Sequence, residues 1–102
     1  MKHFILDKDK KVVPASFYEW TDFIGHFPNK KVAQTQLENC FISTIFTGID
    51  TWNDSNYFET IVFDNKEHDM VEQEYYGTYE KALKGHETIV ERYKKELRNE
   101  TR

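Results

Sequence analysis

Residues 32–50, VAQTQLENCFISTIFTGID, followed at 56–64 by NYFETIVFD, decide the fold class of this chain. Phe41 to Thr47 and Tyr57 to Phe63 are dense in β-branched and aromatic residues, which suit a pleated, half-buried surface. Val32 to Leu37 alternates more weakly, and Glu38-Asn39 offers a turn before Cys40. The polar segment Gly48 to Asn56 reads as a loop. Met70 to Tyr76 reads as a further strand, after the acid-rich connection Asp64 to Asp69. The period then changes. In GTYEKALKGHETIVERYKKEL, residues 77–97, one stripe holds Tyr79, Ala82, Leu83, His86, Val90, Tyr93 and Leu97. Glu80, Lys84, Glu87, Glu91 and Lys94 fall away from it, the pattern of an amphipathic helix, with Thr78 as its expected N-cap.

Upstream of this block, His3 to Leu6 and Lys11 to Val13 flank the polar Asp7-Lys8-Asp9-Lys10, the pattern of a short hairpin. Pro14 has no N–H to give a ladder and is expected to end the second strand. Ser16-Phe17-Tyr18-Glu19 is a capping box, in which each residue's side chain can accept from the other's backbone amide. Phe17, Trp20, Ile24 and Phe27 follow at helical spacing beside Phe23, and Gly25 and Pro28 mark the helix end. The expected order is ββ-α-ββββ-α. This is an α+β fold with an antiparallel sheet of about four to six strands and two helices, the long C-terminal helix lying across the sheet. Residues 1–97 are expected to form one domain and residues 98–102 a polar tail that frays.

Composition narrows the function classes. A chain of 102 residues has the size of one domain. Eight Phe, six Tyr and two Trp supply large buried area per residue, so a core is within reach. The same count is high for a monomer to hide, which predicts self-association, most simply as a two-fold dimer. A net charge of -4 argues against non-specific nucleic-acid binding, which needs a basic field. Cys40 is the single cysteine, so no internal disulfide can form, as suits a reducing cytosol. No long apolar stretch marks a signal peptide or a membrane span, and a soluble, cytoplasmic protein is expected.

No cofactor, metal or catalytic set is expected. His86 sits on the helix stripe and reads as a packed histidine with a hydrogen-bond partner. His26 closes the first helix. His68 lies in Glu67-His68-Asp69, but consecutive residues rarely converge on one ion and no second pair stands at ligand spacing. Glu59 is the carboxylate to watch, because its strand otherwise reads as buried, with Tyr57, Ile61 and Phe63 on the same face. Either that face is wet or the carboxylate is held among aromatics, with Asp50 able to approach it. Gly85, within the helix, reads as a point of close helix-to-sheet packing, with a ligand pressing there as the competing reading. Trp52, in the polar loop, either folds back to cap the sheet, the outcome expected from its apolar area, or stands out as an anchor among Asp50, Asn53, Asp54 and Asn56.

The order of motifs carries a resemblance. Val32-Ala33-Gln34-Thr35, then Ile42-Ser43-Thr44-Ile45-Phe46-Thr47-Gly48-Ile49-Asp50, then Phe58-Glu59-Thr60-Ile61-Val62-Phe63, then Tyr76-Gly77-Thr78-Tyr79-Glu80-Lys81-Ala82 with Gly85-His86, is similar to a family of small bacteriophage and prophage proteins. Its members run "VSTVFLGLDH", "LFETMVF" and "YSTWEEALAGHE". The similarity covers about residues 32 to 90, and carried over residue by residue it points to Asp50, Glu59, Thr60 and His86. After Asp50 the chain departs from the pattern: Thr51-Trp52-Asn53-Asp54-Ser55-Asn56 stands where relatives often have a His and a Gly/Pro-rich loop. The resemblance implies a phage-type accessory protein in a host cytoplasm and no particular reaction.

Three functions follow as expectations. The first is binding of a host or phage protein or a small molecule, in host takeover or in blunting host defence. The second is a small enzyme or ligand-sequestering protein with a pocket around Asp50, Glu59 and His86. The third is a structural module of a larger phage complex. The candidate binding residues are Asp50, Trp52, Glu59, Thr60 and His86.

Overall fold

The computed structural model describes residues 2–50 and 52–100. Thr51 of the polar loop, and Thr101 and Arg102 of the expected tail, lie outside the described residues. Six strands and three helices follow in the order β1 (His3–Leu6), β2 (Val12–Ala15), α1 (Phe17–Ile24), α2 (Phe27–Lys30), β3 (Lys31–Gln36), β4 (Cys40–Phe46), β5 (Phe58–Asp64), β6 (Met70–Tyr76) and α3 (Tyr79–Glu100). β1 and β2 form a hairpin. β3 to β6 form a four-stranded antiparallel meander in sequence order. The architecture is α+β, with α3 packed against the larger sheet.

Alternation along β4 and β5 sets the core. Cys40, Ile42, Thr44 and Phe46 are buried, and so are Phe58, Thr60 and Val62, while the residues between them are half-buried. The register places Ile42 opposite Val62, Thr44 opposite Thr60 and Phe46 opposite Phe58. α3 lies over this inner face and buries Ala82, His86, Ile89 and Val90. Two apolar clusters result. One gathers Cys40, Ile42, Val62, Ile89 and Val90, and the other gathers Leu6, Phe46, Phe58 and Ala82 with Phe4, Val12, Phe23 and Tyr79 around it. Thr44, Thr60 and His86, fully buried and polar, sit at the strand and helix positions between the two.

The N-terminal third differs from expectation in three ways. Pro14 lies inside β2, opposite Phe4, instead of ending the strand. A strand with one unpaired edge tolerates a residue that has no N–H to donate. The capping box forms as read, with Glu19 N–H donating to Ser16 Oγ at 3.1 Å and Ser16 N–H donating to Glu19 Oε1 at 2.9 Å. These bonds favour the Glu19 carboxylate and hold its pKa below the ordinary value. The apolar stripe behind the box is broken, however. α1 stops at Ile24, and Phe27 belongs to the separate turn α2, which gives three helices instead of two. No residue of α1 is fully buried, and Phe17 and Tyr18 are exposed.

At the other end, α3 continues through Glu100, so Arg98 and Asn99 are helical where a frayed tail was expected. The buried stripe of α3 is also rotated from the expected one. Ile89 is buried and Leu83 only half-buried, because the helix turns Ala82 and Ile89 toward the sheet and leaves Leu83 at its rim. Ile89→Ala is therefore expected to cost about 2–5 kcal/mol in chemical denaturation. Leu83→Ala should cost clearly less, and the reverse ranking would show that the helix is rotated otherwise.

Candidate functional site

His86 projects from the middle of α3 onto two strands. Its Nε2 lies 2.8 Å from Thr35 Oγ1 on β3, and its Nδ1 lies 2.7 Å from Thr44 Oγ1 on β4. Thr44 in turn bonds the Thr60 hydroxyl on β5. Thr60 also bonds the phenol of Tyr76 on β6. A neutral imidazole has one donor and one acceptor, and hydroxyls can serve as either, so the chain Thr35–His86–Thr44–Thr60–Tyr76 is satisfied in both tautomers. Burial disfavours the charged ring and lowers the His86 pKa, with Glu87 opposing weakly from its own helix. Burial likewise pushes the Tyr76 phenol up, against the hydrogen bond from Thr60.

Close packing above this chain explains Gly85. A Cβ there would run into the ring of Tyr76, so the helix can lie this close only where position 85 has no side chain. Thr35, Thr44, Thr60, and Tyr76 with Gly85 and His86, from four separate stretches of the sequence, thus meet at one place. What they build is a sealed polar seam between helix and sheet. Its ring nitrogens are both bonded and 4% of His86 is exposed, so no substrate reaches it.

Glu59 faces the other way. Neighbouring residues of a strand point to opposite faces, and with Thr60 inward Glu59 lies outward, between Ile45 on β4 and Tyr75 on β6. Gln73 Nε2–H donates to Glu59 Oε2 at 3.1 Å. Beside it Asp50 Oδ1 accepts the N–H of Asp54 at 3.0 Å and of Ser55 at 3.2 Å. The tie holds Asn53 and Ser55 in the left-handed region, at φ 57° and 61°. Trp52 does not fold back as a cap: it is 76% exposed. Trp52, Asp54, Glu59 and Tyr75 line a cavity of about 220 Å³.

The five candidate residues therefore divide. Thr60 and His86 meet on the inner side; Trp52 and Glu59 meet on the outer side, with Asp50 shaping the loop beside them. A pocket shared by Asp50, Glu59 and His86 does not form, since the sheet separates the carboxylate from the imidazole. Of the other histidines, His3 packs on Phe17 and Trp20, with centroids at 5.4 and 4.8 Å. His26 precedes α2 as its N-cap, and His68 occupies the β5–β6 turn at φ 61°. Among the described residues no three His, Cys, Asp or Glu side chains are grouped to hold a metal ion. Cys40 is buried, and burial, Glu96 and Asp64 raise its pKa, which suppresses the reactive thiolate. No described helix is long and apolar enough to cross a membrane. No protein-family model, curated protein or solved structure matches the chain.

The seam makes stability depend on pH in a definite direction. The unfolded chain takes up a proton on His86 near the ordinary value of 6.5, whereas the folded chain resists it. The stabilisation is complete above that value and is lost as pH falls below it toward the folded pKa. Melting curves from pH 7.5 down to 5 should show this slope in the native chain and a flatter one in His86→Gln. Equal slopes would place the titration elsewhere. Trp52→Ala, by contrast, should shift unfolding by no more than about 0.5 kcal/mol, as for an exposed side chain. A large loss would restore the capping role.

Proposed function

We propose that this chain is a small phage-type accessory protein that acts by binding, and that it binds through the uncovered face of its four-stranded sheet. One observation carries the reading. α3 packs on the inner face, and the outer face presents Phe41, Ile45, Ile61, Phe63, Met70 and Tyr75 at or near the surface. Met70 and Val71 are each 55% exposed and Tyr75 is 46% exposed. Gln34, Gln36, Ser43 and Gln73 stand in its cross-strand rows, and Lys31 and Glu59 are the charged residues of the row through Ile45 and Tyr75. An apolar, aromatic-rich centre among polar groups is the composition of a protein-binding surface. The assignment to phage, and so to the host cytoplasm and to host takeover or anti-defence, rests on the sequence resemblance.

The same face favours pairing of two copies when no partner is present. The chain carries a net charge of -4, yet Glu59 is the one acid in the rows that β4, β5 and β6 contribute to this face. Two such faces can stack about 10 Å apart without like-charge repulsion. An enzyme is the weaker reading, because the buried imidazole and the outer carboxylates never share a cavity.

Ile61 is central on this face and touches no part of the inner core, so Ile61→Lys tests both readings at once. Sedimentation of the native chain should give about twice the 12.3 kDa chain mass, and the variant should give the single mass with an unchanged melt. Affinity capture from phage-infected cells should recover a partner with the native chain and lose it with the variant. A native monomer whose partner recovery survives Ile61→Lys would end the sheet-face reading.

A further inference from the structure

We propose that the cavity beside Trp52 receives a guanidinium or ammonium side chain from a partner protein, the outer sheet face being the surface on which that partner sits. This deepens the binding reading above and rests on it. The cavity, of about 220 Å³, suits the end of one long side chain. Two aromatic residues line it, Trp52 and Tyr75, 76% and 46% exposed. Two carboxylates, Glu59 and Asp54, line it as well, and among the described residues no Lys or Arg does. Rings attract a cation through their negative faces, and carboxylates attract it through charge and hydrogen bonds. An anionic ligand such as a phosphate meets repulsion from both acids.

Glu59 supplies the strongest part of the case. It is half-buried, between Ile45 and Tyr75 on neighbouring strands. A partly desolvated carboxylate ordinarily finds a counter-charge. Among the described residues its hydrogen-bond partner is the neutral Gln73, and the pairs Glu72–Arg92 and Glu91–Lys94 lie elsewhere. The missing cation is one that a partner can bring. The loop is set in advance for it. Asp50 holds the turn that carries Trp52 and Asp54, with two non-glycine residues in left-handed conformations, so less ordering remains to be done on binding.

The test follows the indole N–H of Trp52 by NMR in the intact chain. The probes are N-acetyl-arginine methylamide and N-acetyl-lysine methylamide, with the neutral N-acetyl-citrulline methylamide as a shape-matched control. The arginine or lysine probe should shift the Trp52 resonance saturably in the millimolar range, and citrulline should bind at least about tenfold more weakly. Glu59→Gln, which keeps the shape and the Gln73 contact, should weaken arginine binding several-fold. Trp52→Ala, followed through the Glu59 and Tyr75 amides, should abolish it. Equal binding of citrulline and arginine, or no shift with either cation at tens of millimolar, overturns the proposal. Tighter binding of free arginine than of the blocked derivative also overturns it, because the ligand is then a free amino acid. The probes read the cavity alone, and Ile61→Lys reads the sheet face. Failure of one is therefore told apart from failure of the other.

Discussion

The hydrogen bonds between one imidazole and hydroxyls from two adjacent strands fix how α3 lies on the sheet. An apolar interface tolerates sliding and rotation, since dispersion and burial are nearly indifferent to small shifts. A buried ring with two nitrogens is not indifferent. Each must meet a partner at hydrogen-bond distance or forfeit about 1–3 kcal/mol. Thr35 and Thr44 provide those partners, Thr60 and Tyr76 extend the chain, and Gly85 leaves room for the Tyr76 ring. Because strand residues alternate, committing Thr44 and Thr60 to the inside commits Ile45, Glu59 and Ile61 to the outside. The whole character of the outer face follows from that choice of parity.

Parity was also where the sequence was hardest to read. The existence and order of the elements were legible, because β-branched runs, a capping box and a 3.6-residue stripe are local signals. β5 is apolar on both faces: Phe58 and Val62 look as fit for a core as Ile61 and Phe63. The residue that decides is Thr60, and its partners Thr44 and Tyr76 come from other strands. Nothing local announces that a threonine will be buried. Thr35, Thr44 and Tyr76 were missed as members of the seam for the same reason, and so was Tyr75, whose meaning depends on standing across from Glu59. In α1 the local signal misled. Its stripe of aromatics has helical spacing, but the helix ends after eight residues and the hairpin offers it a shallow surface, so Phe17 stays outside.

Separating the faces also separates the chemistry. The inner side holds the buried imidazole of His86 and the hydroxyls bonded to it, and it is closed. The outer side holds carboxylates, amides and rings, which recognise well and react poorly. A chain of this size can afford one polar seam in its core when that seam also fixes the helix. The consequence is a molecule whose surface is available for contacts while the buried network around His86 serves architecture.

The junction between the two sheets has a consequence of another kind. β1 meets the large sheet through one isolated bridge, His3 to Ile49, and one bond from Phe4 N–H to the Gly48 carbonyl, with the Trp20 indole N–H on the Thr47 carbonyl beside them. The meander and α3 are joined by continuous ladders and both apolar clusters. Cooperativity is therefore uneven along the chain. The first thirty residues form a unit that can open as a piece, uncovering Phe46 and Phe58, while amides of β4 and β5 stay protected. Gly48 is the latch of that junction: at φ 68° its carbonyl accepts the Phe4 N–H, and a side chain there would run into the Phe4 carbonyl and the Trp20 ring.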